Sequence, residues 1–269
     1  MSPPLVFITG ASSGIGRALA ARFARAGYRL ALVARRAGEI EDWCRAQGWP
    51  AQRWVAYAAD VRDVASITAA GRDCLQRLGL PDVVVANAGI SIGVDTAEYE
   101  DLEVIRATFE TNNLGMAATF QPFLKALRER GERGERAGPA ARVGTLVGIA
   151  SVAAIRGLPG HGAYCASKAG VVSYCESLRG ECRPFGVKVV TLLPGYVATP
   201  LTASNRYGMP FLMTPEAFAE RAFAAIQSGV SYRVIPWQMG VAAKLLRLLP
   251  NALLDRLLAG RARKKRRGE

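Results

Sequence analysis

Histidine is nearly missing from this chain: His161 is the only one in 269 residues. The five cysteines (Cys44, Cys74, Cys165, Cys175 and Cys182) are scattered, odd in number and without a CxxC pair. A His/Cys metal site and a disulfide framework are therefore excluded, and reduced thiols in a cytoplasmic protein are expected. No uninterrupted apolar run approaches the ~18 residues of a membrane-spanning helix. The start, MSPPLVFITG, lacks a basic n-region and runs straight into a strand-like segment, so it reads as folded protein and not as a signal peptide. Neither an internal repeat nor a domain linker is present. Acidic residues are also scarce, and the formal net charge is +13. Over residues 261–269 six cations (Arg261, Arg263, Lys264, Lys265, Arg266, Arg267) face one carboxylate, Glu269, a local net of +5. Such a run reads as a solvated, disordered tail, with attraction to anionic lipid as the alternative. No aromatic–basic interleaving accompanies it, so nucleic acid is not an expected partner.

Half of the residues are apolar and about a fifth are charged, which suits one large domain with a sizeable core. Short apolar runs alternate with helix-period segments. The runs at Leu5–Thr9, Leu30–Ala34, Trp54–Ala58, Val83–Ala86, Val143–Ala150, Val187–Leu193 and Arg233–Ile235 read as strands buried on both faces. Helices are expected from Ile15 to Ala26, ended by Gly27, over the long stretch Leu102–Arg130, and from Tyr164 to Arg183. The polar, Gly-rich stretch Glu129–Arg142 reads as a flexible surface loop. The alternation predicts an α/β fold: a Rossmann-type, doubly wound parallel sheet of about seven strands with helices on both faces.

The first strand–helix junction carries Thr9-Gly10-Ala11-Ser12-Ser13-Gly14-Ile15-Gly16. Glycines allow a sharp turn and a close approach to a pyrophosphate, and the helix N-terminus behind them offers unpaired N–H groups and a positive dipole end. Its place after the first strand marks it as a dinucleotide site. The second strand ends Val33-Ala34-Arg35-Arg36, where an NAD enzyme would carry a carboxylate for the ribose 2′-hydroxyl. Arg35 instead suits a 2′-phosphate, with Arg17 a second candidate, so NADP is favoured over NAD.

Tyr164 and Lys168 lie four apart at the start of a helix, on one face. A nearby ammonium favours the phenolate and is expected to lower the tyrosine pKa from its usual value near 10. The pair suits general acid–base work. Ser151, at the end of the fifth strand, adds a hydroxyl for a substrate oxygen.

With these residues in view, the chain resembles the short-chain dehydrogenase/reductase family over residues 4 to 236. The motifs run in order: Thr9–Gly16; Asp60-Val61; Ala86-Asn87-Ala88-Gly89; Asn112; Ser151; Tyr164 with Lys168; and Pro194-Gly195-Tyr196-Val197-Ala198-Thr199-Pro200. The resemblance implies that Gly10, Ser12, Ser13, Gly14, Ile15 and Gly16 hold the cofactor phosphates, that Asp60 and Val61 contact the adenine, and that Asn87, Ala88 and Gly89 shape the cofactor floor. It implies that Ser151 orients a carbonyl oxygen, Tyr164 moves the proton, and Lys168 holds the nicotinamide ribose. Asn112, selected over Asn113 by Gly115, would hold a water linked to Lys168. Pro194 and Gly195 would help bind the cofactor, and Val197 and Thr199 would contact the carboxamide of its nicotinamide. Ala86 departs from the family's frequent asparagine.

An enzyme is thus expected, interconverting a carbonyl and an alcohol, with a hydrophobic substrate bound by residues 152–162 and 199–215 and with a homodimer or homotetramer as the assembly. The rival reading is a catalytically silent, cofactor-binding regulatory protein; the complete set Asn112, Ser151, Tyr164 and Lys168 argues against it. His161 reads as a loop residue, with substrate contact as the alternative. Cys165 reads as packing, since its side chain points about 100° from Tyr164. Met209, Phe211 and Met213 suggest an apolar lid, or packing on the sheet. Residues 1–236 are expected to form the catalytic domain and 237–260 an apolar helical extension before the basic tail. Pro250 should split the extension into two helices. It reads as a cap or a subunit interface, or as an interfacial helix lying on a membrane.

Overall fold

The computed structural model describes residues 3–136, 142–203, 205, 207–260 and 263–268. Along the chain come β1 (Leu5–Thr9), α1 (Gly14–Arg25), β2 (Arg29–Ala34), α2 (Ala37–Ala46), β3 (Trp54–Ala58), α3 (Val64–Arg77) and β4 (Val83–Ala86). Next are α4 (Asp101–Phe109), a π-helical turn (Glu110–Leu114), α5 (Gly115–Glu132), β5 (Thr145–Ile149), α6 (Gly162–Cys182) and β6 (Lys188–Pro194). The chain then forms α7 (Pro200–Ala203), α8 (Pro215–Ser228), β7 (Tyr232–Ile235), α9 (Trp237–Leu248) and α10 (Asn251–Leu258).

The strands form one parallel sheet in the order β3-β2-β1-β4-β5-β6-β7. Alternate residues of each strand face opposite sides. Val6, Ile8, Leu30 and Leu32 pack with α1, α2 and α8, where Phe23, Ile40 and Phe218 are fully buried. Leu5, Phe7, Ala31 and Val33 pack with α3, α5 and α6. The Phe7 ring meets Phe123 of α5 edge-on at 4.9 Å. Both faces of the strands are thus covered, which is why the sequence shows continuous apolar runs. The chain reverses its winding direction between β1 and β4, leaving a crevice at the carboxyl ends of these two strands.

The single long helix expected over 102–130 is interrupted. The π-helical turn at 110–114 separates α4 from α5 and contains Asn112. Apolar spacing hardly registers one extra residue per turn, so the pattern looked continuous. Helix α5 also runs to Glu132, into the stretch expected to be loop, while 137–141 of that stretch lie outside the described residues. All five cysteines are free and buried. No helix among the described residues is long and apolar enough to cross a membrane.

The basic tail departs from the solvated reading. Lys264 is 6% exposed, and Arg266 donates from Nε to Asp101 Oδ2 at 2.7 Å, a carboxylate itself buried at the start of α4. Burial of the lysine stem and charge pairing of the arginine hold this segment on the protein surface. Arg261 and Glu269 of the same run lie outside the described residues.

Phe7 is fully buried at the centre of the sheet. Phe7→Ala is expected to destabilise the fold by about 3–5 kcal/mol, measured by urea denaturation; a loss below about 1 kcal/mol would show that the ring is not a packing centre.

Candidate active site

The crevice at the carboxyl edge opens into one continuous cavity of about 1100 Å³ that reaches from the glycine turn to α9 and α10. At its floor, Asn87 clamps the ends of β4 and β1. Its Nδ2 donates to the carbonyls of Thr9 (3.0 Å) and Gly10 (3.2 Å). The Thr9 hydroxyl accepts from the backbone N–H groups of Asn87 (3.1 Å) and Ala88 (3.3 Å). A side chain at Gly16 would overlap the carbonyl oxygen of Gly10, so α1 enters the turn as closely as backbone allows. Ser13 caps α1 without a side-chain hydrogen bond to its first turn. The N–H groups there stay available for an anion. A Cβ at Gly14 would come within 3.1 Å of Thr199 Cγ2, so the missing side chain keeps a passage open between the turn and the loop after β6. These features fit a dinucleotide pyrophosphate.

The remaining cofactor candidates line the same cavity: Gly10, Ser12, Ser13 and Ile15 at the turn, Asp60 and Val61 after β3, Asn87 to Gly89 after β4, and Pro194, Gly195, Val197 and Thr199 after β6. Gly16, by contrast, is buried behind the turn. Asp60 Oδ1 accepts from the Arg62 backbone N–H at 3.0 Å, which fixes the turn. Arg35 is exposed at the end of β2 and lines the cavity. Among the described residues it forms no ion pair, whereas Arg36 is held by Glu39. Arg17 is drawn away: its guanidinium lies 4.8 Å from the Trp43 ring and does not line the cavity.

Ser151, Tyr164 and Lys168 come together where β5 ends and α6 begins. The Ser151 hydroxyl hydrogen-bonds the Tyr164 phenol and also accepts from the Ala153 N–H at 3.2 Å. Lys168 is 4% exposed and donates from Nζ to the Ile149 carbonyl at 2.9 Å. Its Nζ lies 5.8 Å from the Tyr164 ring centroid. The expected lowering of the Tyr164 pKa is not what this geometry produces. Desolvation raises the phenol, and only the Ser151 hydrogen bond pulls it down. Burial also pushes the Lys168 ammonium down to about 8. With no carboxylate paired to Lys168 among the described residues, desolvation outweighs attraction, and both groups move toward their neutral forms.

Asn112 is 1% exposed. Its Oδ1 accepts from the Ile90 N–H at 2.9 Å, and its Nδ2 donates to the Ile90 carbonyl at 3.1 Å and to Ser167 Oγ at 2.9 Å. A Cβ at Gly89 would lie 3.1 Å from Asn112 Oδ1 and 3.3 Å from Lys168 Nζ, so the two groups face each other across the glycine. Asn113 turns instead to the Ser167 carbonyl, at 2.9 Å.

His161 is more than a loop residue. It caps α6, is 9% exposed and lines the cavity. A carbonyl can only accept, so Nδ1 carries the proton it donates to the Pro159 carbonyl at 3.3 Å. Burial depresses the His161 pKa, so the ring is neutral and Nε2 accepts from the Tyr207 hydroxyl at 3.1 Å. Residues 152–162 and 199–215 do contribute walls, through Leu158 and Phe211 among others. The sequence reading missed a further wall: Met239, Ala243 and Leu246 of α9 and Leu258 of α10. The signal for it was the strongly apolar stretch after Pro236.

A family profile described as short chain dehydrogenase matches residues 4–209. A Myxococcus xanthus protein described as an uncharacterized oxidoreductase is 36% identical over 95% of this chain and 96% of its own length. Among solved structures, a 3-ketoacyl-(acyl-carrier-protein) reductase from Brucella melitensis complexed with NADH is 28% identical, with a TM-score of 0.76 over 86% of this chain and 96% of that one. An alcohol dehydrogenase from Thermococcus sibiricus complexed with 5-hydroxy-NADP is also 28% identical, with a TM-score of 0.72 over 86% and 95%. With the parallel sheet, the glycine turn and the serine, tyrosine and lysine at its edge, these likenesses establish that the chain belongs to the short-chain dehydrogenase family and is an NAD(P)-dependent oxidoreductase.

Proposed function

We propose that the protein is an NADP(H)-dependent enzyme that interconverts a carbonyl and an alcohol, with Tyr164 as general acid and base. The observation that carries this reading is the convergence of Ser151, Tyr164 and Lys168 on the same cavity as the glycine turn. When bound, NADP(H) supplies or accepts the hydride. Ser151 and Tyr164 together hold the substrate oxygen. In reduction the Tyr164 hydroxyl gives its proton to that oxygen as negative charge develops on it. In oxidation the phenolate takes the alcohol proton. Because burial raises the phenol pKa, Tyr164 holds its proton at neutral pH, which favours the reductive direction there. Lys168 would reach the nicotinamide ribose, and Asn112 would hold the water that links it to solvent. NADP is preferred because Arg35, which forms no ion pair among the described residues, stands at the end of β2 where an NAD enzyme would carry a carboxylate.

The surface of the C-terminal helices supports a further role in the same reading. Trp237, Val241, Leu245 and Leu248 are exposed along one side of α9, Trp237 at 67% and Leu248 at 79%, while Met239, Ala243 and Leu246 face the cavity. Lys244 and Arg247 are exposed on the same helix, and Arg256 is exposed on α10. The face is suited to an anionic bilayer, one helix away from an apolar substrate cavity. The full-length protein should co-sediment with vesicles containing anionic lipid, and the double variant Leu245→Glu/Leu248→Glu should not; absence of sedimentation together with a dimer that the variant dissociates would assign the face to a second copy.

Tyr164→Phe is expected to lower turnover at least about 100-fold while NADPH binding stays intact; unchanged turnover would overturn the mechanism. Arg35→Ala should weaken NADPH at least about tenfold with little effect on NADH, measured by fluorescence titration; equal losses would refute the 2′-phosphate assignment. In the cofactor-free protein, NMR of lysines labelled at Cε should show one resonance, lost in Lys168→Met, that titrates near 8. Raising the pH through that value discharges Lys168 while ordinary lysines stay charged to about 10.4, and a single transition near 10.4 for all lysines would contradict the burial effect.

A further inference from the structure

The basic tail is built into the cavity wall. The Gly93 N–H donates to the Lys265 carbonyl at 2.8 Å, and a side chain at Gly93 would overlap the Lys264 carbonyl. A Cβ at Gly160 would lie 3.0 Å from Arg263 Cβ. Arg266 anchors the segment on Asp101, whose Oδ2 also accepts from the Asp95 N–H at 2.6 Å. This seat carries Lys264 inward, where Nζ donates to the Leu201 carbonyl at 2.8 Å and to Asn205 Oδ1 at 2.7 Å. Both partners are neutral, and an ammonium has three donors.

The charge pattern of the cavity is one-sided. Arg156, Lys264 and Arg267 line its substrate half. Among the described residues none of the three forms an ion pair; Arg156 Nη2 donates to the neutral Asn251 Oδ1 at 2.8 Å. The one carboxylate lining the cavity among the described residues is Asp60, which belongs to the cofactor half. Burying an ammonium without a counter-charge costs free energy unless a ligand supplies the charge. The lowered pKa of Lys264, caused by desolvation, is the same cost seen from the proton side. Lys264 also opposes protonation of His161, and both residues line the cavity.

We propose that the substrate carries an anionic group, a carboxylate or a phosphate, apart from its carbonyl, and that Lys264, with Arg156 and Arg267, receives it. This rests on the carbonyl-reductase reading above. It assigns the apolar walls to the body of the substrate and the tail to its charged end.

The test uses full-length protein and NADPH with matched aliphatic ketones: a terminal carboxylate against its methyl ester, and a terminal phosphate against the free alcohol. The unmodified protein should prefer the anionic member of at least one pair in kcat/KM. Lys264→Met should cut that preference by about tenfold or more, Lys264→Arg should restore part of it, and Lys125→Met on the exposed side of α5 should leave it unchanged. The NADPH dissociation constant of Lys264→Met should match that of the unmodified protein. Whichever pair shows the preference decides between carboxylate and phosphate. Equal use of anionic and neutral ketones, a preference that survives Lys264→Met, or a matching loss of NADPH affinity would each overturn the assignment while leaving the reductase reading in place. Turnover of no ketone in the panel would remove that reading, and this inference with it.

Discussion

The site depends on how the two halves of a parallel sheet are tied where their winding diverges. β1 and β4 pair as neighbours, but nothing in the ladder itself fixes the loops beyond their carboxyl ends. Asn87 does this with its amide, bridging the Thr9 and Gly10 carbonyls, while the Thr9 hydroxyl takes two backbone N–H groups in return. These bonds aim the glycine turn at the crevice. The clamp works only because α1 sits hard against it, and α1 can do so only with glycine at position 16. Losing any part would leave a backbone carbonyl or N–H of this part-buried turn without its partner.

From that floor the candidate catalytic groups are placed by a second economy of space. Gly89 lacks the atom that would crowd both Asn112 and Lys168. The π-helical turn widens the helix by one residue and turns Asn112 onto the Ile90 backbone and Ser167. Lys168 and Tyr164 then share a low-polarity wall with no carboxylate paired to the lysine among the described residues. Burial, not mutual attraction, sets their proton affinities, and it pushes them in opposite directions: the phenol up, the ammonium down. The neutral form of each group is thereby favoured relative to water, although at about 8 Lys168 still carries its charge at neutral pH.

Much of this was legible in the sequence because the relevant signals are local. Continuous apolar runs announced strands covered on both faces, and the strand limits agree to within about two residues. The glycine turn, Ser151 and the Tyr164–Lys168 spacing are short-range patterns, and all of them reach one cavity. What remained hidden depends on contacts between distant parts of the chain. The π-helical turn leaves the apolar period almost unchanged. The direction of the Tyr164 shift depends on how deeply the ring is packed, which residue spacing does not encode. Arg17 and Arg35 looked alike as phosphate ligands, and only the position of Trp43 separates them. His161 became informative through Tyr207, which lies far along the chain and beside it in space.

The C-terminal segment is the sharpest case of that long-range dependence. A cluster of cations at a chain end has many solvated arrangements and few ordered ones, so the default reading of such a run is disorder. Order requires specific compensation, and here the tail finds it in three places: a backbone bond to Gly93, a buried acid for Arg266, two neutral oxygens for Lys264. The buried lysine, whose partners among the described residues carry no charge, is also one that lines the cavity. Helix α9 has the same two-sidedness, with Ala243 and Leu246 toward the cavity and Leu245 and Leu248 outward. The segment after Pro236 therefore completes the pocket that the sheet begins. In a fold shared by many activities, the apolar helices and the inward lysine are the parts of this cavity's wall that the sheet edge does not supply.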